Sequence, residues 1–112
     1  MDHLERYVTE ENLALFVDLI EQEQDDCQRT LLKNMLVAEE NRYAANAERL
    51  DVAELCRDKC LKRIDAQRSR IAAMRDGHPH KATAELFLAN LLDLQALVEF
   101  RITGLKRRID GM

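Results

Sequence analysis

The first 76 residues of this 112-residue chain contain neither glycine nor proline; the first glycine is Gly77 and the single proline is Pro79. Strands joined by tight turns depend on those residues, because turns require backbone conformations that few others adopt readily. A long helix has no such requirement. Ala, Leu, Glu, Arg, Lys and Gln dominate the chain, and these side chains lose little freedom on entering a helix. The expectation is an all-α fold in a single domain, 1–112, with 46% apolar residues to supply a core.

Helix boundaries follow from capping patterns. Thr9, followed by Glu10 and Glu11, reads as an N-cap with acidic residues at the positive end of the helix dipole, and Val8 and Leu13 have the spacing of a hydrophobic staple. From there Leu13, Val17, Ile20, Cys27, Leu31, Met35 and Ala38 recur at helical spacings as one inward face. A second start is read at Asp51: Glu54 stands at capping-box distance, and Leu50 and Leu55 at staple distance. The following inward face is Ala53, Cys56, Cys60, Ile64, Ile71 and Met74, interrupted by Gln67, and its phase does not continue the first. That slip places a turn between residues 42 and 51; the alternative is one uninterrupted helix over 9–76. Gly77 and Pro79 end the second helix. The expected fold is therefore an up-down-up bundle of three long antiparallel helices, about 10–45, 52–76 and 80–109.

The last helix carries a heptad-like seam, Ala84, Leu88, Leu91, Gln95, Val98, Ile102, Leu105 and Ile109, together with Leu86, Leu94, Leu97 and Phe100 toward other sides. A helix apolar around so much of its circumference must be covered on more than one side. In a three-helix monomer one flank stays wet, so the expectation is a homodimer, or a complex with a helical partner protein, through Leu86, Leu94, Leu97 and Phe100.

Function is less legible. Net charge is −4, which gives no global attraction to nucleic acid or anionic lipid. The most apolar window, 82–100, holds Glu85, Asn90, Asp93, Gln95 and Glu99, which argues against a membrane span. The opening residues show no export signal and the three cysteines form no dense framework, so reduced thiols in the cytoplasm are expected. Ser69 is the only serine and lies between Arg68 and Arg70, and no phosphate-binding glycine loop exists. These features lead to a non-enzymatic interaction or regulatory module that requires no cofactor. The alternative is a nucleic-acid-associated regulator contacting its ligand through Arg63, Arg70, Lys106, Arg107 and Arg108; against it, no aromatic residues interleave the basic ones for base stacking. A third reading is a metal-binding bundle. In a three-helix fold His3, His78 and His80 converge at one end, and Cys27 approaches Cys56 and Cys60 if the turn lies near residue 44. The simpler reading has all three cysteines as small buried apolar residues and no metal.

Overall fold

The computed structural model describes residues 2–111, which contain four α-helices and no strand: α1 His3–Gln22, α2 Asp26–Asn41, α3 Asn46–Ala72 and α4 Lys81–Asp110. The bundle measures 53 × 27 × 26 Å. Sequence order alternates up and down, so α1 runs parallel to α3, and α2 parallel to α4. The tie points give the alignment: Arg63 of α3 meets Asp18 and Glu21 of α1, while Lys33 and Glu40 of α2 meet Asp93 and Arg101 of α4.

The fourth helix arises because the expected first helix is broken. Residues 21–26 read Glu-Gln-Glu-Gln-Asp-Asp, without an apolar side chain. Glu23 leaves the helix in an extended conformation, and Asp25 caps α2 by accepting hydrogen bonds from the N–H groups of Cys27 and Gln28 at 2.8 and 3.0 Å. The carbonyls freed at the end of α1 also find donors. Asn90 Nδ2 of α4 donates to Glu21 O and Glu23 O, and Arg29 donates to Glu23 O. Orphaned carbonyls at a buried helix end need such partners, and a helix from another part of the chain supplies them here.

Thr9 is not a cap. α1 begins earlier, with Asp2 as N-cap and Asp2 and Glu5 as a reciprocal capping box. Thr9 is fully buried, 2.5 Å from the Tyr43 hydroxyl, and Arg42 donates to both oxygens. This cluster fastens the start of α1 to the end of α2. The turn expected between 42 and 51 is present, but it closes by residue 45. Asp51 lies inside α3 on an exposed side and caps nothing. Arg49 closes the turn by donating to Tyr43 O. Asp25→Ala is expected to lower stability by about 0.5–2 kcal/mol, the usual cost of a lost N-cap. Asp51→Ala, a better helix former in mid-helix, should be neutral or slightly favourable. Urea midpoints of the two variants check both.

The break also resets helical phase. Leu13, Val17 and Ile20 are buried as expected, but Cys27, Leu31, Met35 and Ala38 point outward; on α2 the inward positions are Leu32, Leu36 and Glu40, with Tyr43 just beyond. The faces of α3 and α4 follow expectation more closely. Ala53, Cys56, Cys60 and Ile64 meet Leu91, Val98, Ile102 and Leu105 across a long hairpin, closed at Gly77, whose φ of 81° suits glycine. Gln67, the polar interruption, is buried and donates to Ala84 O at 2.9 Å. Leu94 is completely buried. α4 is apolar on two flanks because α3 takes one and the α1–α2 pair takes the other, so the fourth helix already covers the side that three helices would leave wet.

Candidate interaction surface

Of the four residues expected to form a contact surface on α4, Leu94 is in the core and Leu97 is half-buried against it, which removes both from an open patch. Leu86 remains 38% exposed and Phe100 79% exposed. They are fourteen residues apart, about 21 Å along the helix, and form no continuous strip.

A longer row of exposed apolar side chains lies elsewhere. On α1, Leu4, Val8, Leu15 and Leu19 fall on the solvent side at spacings of four and seven; on α2, Leu31 and Met35 do the same. Leu4, Leu15 and Leu31 are 71%, 55% and 53% exposed. Helical phase brings the two rows together. Asn12 donates to Glu39 across the α1–α2 seam, and Leu15 and Leu19 on one helix, with Leu31 and Met35 on the other, lie just outside that line. The pattern that suggested a buried seam at Leu31 and Met35 was thus a second apolar face, turned outward by the bend at residues 23–25. It would have been detectable as a 3–4 rhythm offset by one position from Leu32 and Leu36.

Charge divides the chain unevenly. Residues 2–42 hold eleven acidic and four basic side chains, a net of −7; residues 43–111 hold ten and thirteen, a net of +3. Glu11 stands on the strip between Val8 and Leu15 with no ion-pair partner among the described residues. On the side facing α3, an open groove of about 520 Å³ is lined by Glu11, Ala14, Leu15, Lys59 and Lys62, and ends at Arg63.

The basic residues proposed for nucleic acid do not gather. Arg63 is engaged by Asp18 and by Glu21 at 2.8 Å. Burial raises the Glu21 carboxyl above its ordinary range, and the Arg63 guanidinium opposes that shift. Arg70 sits near the α3–α4 turn, whereas Lys106, Arg107 and Arg108 lie at the opposite pole beside Arg49. Arg49 and Arg70 are about 30 Å apart along α3.

The metal constellations are dispersed as well. His78 and His80 have ring centroids 5.7 Å apart, but His3 stands at the other pole because α1 runs parallel to α3. Among the described residues no group of three or more His, Cys, Asp or Glu side chains is placed to hold a metal ion. Cys56 and Cys60 are buried side by side, and the hydrogen bond between them, followed by burial, pushes the Cys56 thiol well above its ordinary value. Cys27 is exposed at the start of α2, contrary to its expected burial, and does not join that pair in a metal-binding group. In the native protein Cys27 should therefore react rapidly with a thiol reagent while Cys56 and Cys60 react only on unfolding. Mass-resolved labelling with and without denaturant measures this; one slow thiol class would contradict the outward phase of α2.

No family model, curated protein or solved structure matches the chain. Among the described residues, no helix is long and apolar enough to cross a membrane.

Proposed function

We propose that the chain is a non-catalytic protein–protein interaction module whose working surface is the outer apolar face of the α1–α2 pair. The observation that carries this reading is the strip of Leu4, Val8, Leu15, Leu19, Leu31 and Met35, six large apolar side chains on one side of the bundle, all at least 40% exposed. Contiguous apolar surface rimmed by polar groups favours association, because covering it releases ordered water without a compensating cost in lost hydrogen bonds. A catalytic reading has less support: Ser69 is an exposed helical residue among arginines, and the grooves are wide and open. The three free thiols suit a reducing cytoplasm as the setting.

Photo-crosslinking from single positions in cells expressing the chain tests this. A crosslinker at Leu15 or Leu31 should yield discrete adducts of higher mass, and one at Asp65 or Thr103, on the far helices, should not. Leu15→Glu should abolish the adduct formed from position 31 while leaving the urea midpoint within about 0.5 kcal/mol, because an exposed position contributes little to folding. Adducts equally abundant from all four positions, or from none, would overturn the assignment.

A further inference from the structure

Building on that proposal, we infer that the occupant of the α1–α2 face is an amphipathic helix of another protein with an apolar seam and basic flanks. Two antiparallel helices leave a shallow groove between their outer rows, and a helix lying in such a groove buries side chains at every third or fourth position. The α1 row runs from Leu4 to Leu19, about 22 Å, which matches roughly four helical turns.

Charge selects the kind of helix. Glu5 and Glu11 lie exposed next to the apolar rows, whereas other acidic residues of 2–42 already have basic partners: Glu39 pairs with Arg42, Asp18 and Glu21 with Arg63, and Glu40 with Arg101. Arg42, the basic residue beside them, is held by Glu39 at 3.2 Å and by the Tyr43 hydroxyl. Lys59 and Lys62 stand across the α1–α3 groove from Glu11 and Leu15, so the acidic side chains on α1 itself, rather than these lysines, are the charges set among the apolar rows. An acidic surface repels anionic lipid and a second copy of itself, while a helix with Lys or Arg on both sides of its seam complements it. The same charges argue against self-pairing through this face, since both copies would present Glu5 and Glu11 there.

The probe is a fluorescent designed peptide of about sixteen residues, four turns, with a leucine seam and Lys/Arg flanks. It is compared with a peptide of the same seam and Glu flanks by anisotropy against the full chain. The expected result is binding of the basic peptide at least about tenfold tighter than the acidic one, with the preference shrinking as salt rises. Leu15→Glu should weaken the basic peptide about tenfold or more. This change adds negative charge, so a loss distinguishes docking on the strip from diffuse attraction to an acidic protein. Glu11→Lys should reduce the preference for basic flanks and leave the chain folded. Equal binding of both peptides, lost in Leu15→Glu, would overturn the charge selection and leave the interaction face standing. Binding of neither peptide would overturn the helix assignment, and the crosslinks from Leu15 and Leu31 would then decide the face independently. A wild-type dimer in sedimentation that Leu15→Glu dissociates would also overturn it, by making the occupant a second copy.

Discussion

Truncating Leu94 to alanine is expected to destabilise the fold by about 2–5 kcal/mol, in the range of a large-to-small change at a fully buried site. Leu94 has no exposed surface and sits where α4 meets the rest of the core. Its loss removes the transfer free energy of the side chain and leaves a space that neighbouring helices, held by their own contacts, fill only in part. Phe100, six residues on and 79% exposed, provides the contrast. Phe100→Glu should shift the midpoint by less than about 0.5 kcal/mol. Equilibrium urea unfolding of the two variants, read by circular dichroism, measures the difference. Equal effects would mean that α4 presents Leu94 to solvent or to a second chain, as a three-helix arrangement requires.

A comparable loss is expected at the junction of α2 with α4. Glu40 is buried, and Arg101 forms two hydrogen bonds to its carboxylate, each 2.8 Å. Holding that bond to Glu40 raises the Arg101 pKa further, so the guanidinium stays charged. Arg101→Met strands a buried carboxylate without its partner, which should cost about 3–5 kcal/mol. Replacing both members, Glu40→Leu with Arg101→Met, removes the stranded charge and should recover most of that loss. A double-mutant cycle on unfolding midpoints reads the coupling directly. Additive effects of the two changes would show that the pair is solvated and contributes little.

What could be read from the residues divides along physical lines. The breaker-free run specifies helix by backbone preference alone, and the Gly77–Pro79 stop is a local signal, so both are visible without the fold. The buried faces at Cys56, Cys60 and Ile64, and at Leu91, Val98 and Ile102, are also local, because one periodicity runs unbroken through each helix. The bend at residues 23–25 was obscured because Ile20 and Cys27 are seven residues apart, a spacing that a straight helix satisfies equally well. The clue against continuity is the polar run 21–26, within which Asp25 has Gln28 three residues beyond it. Asp51 and Glu54 form an equally good capping pattern, yet both lie inside α3, Asp51 exposed to solvent and Glu54 partly buried and paired with Arg57. The misplacement of Leu94 followed from the helix count. With three helices, α4's second flank has nothing to cover it, and the inference of a dimer through that flank depended on the same count. The outward strip on α1 and α2 is hidden in the sequence for the converse reason: Leu31 and Met35 continue the spacing of Leu13, Val17 and Ile20, so a straight helix would bury them.

The Asn90 contacts with Glu21 and Glu23 carry a consequence for the order in which the chain assembles. The cap at Asp25 is made within three residues and is available as soon as that segment forms its first turn. Asn90, by contrast, reaches across sequence separations of 69 and 67 residues. Contacts that distant pay a large loop-closure entropy and form after local ones. Until α4 docks, Glu21 O lacks its donor from that helix, and Glu23 O keeps the local one from Arg29. The elbow between α1 and α2 is therefore expected to sharpen late, when the two halves of the chain meet, and the outward apolar row takes its final direction in the same step.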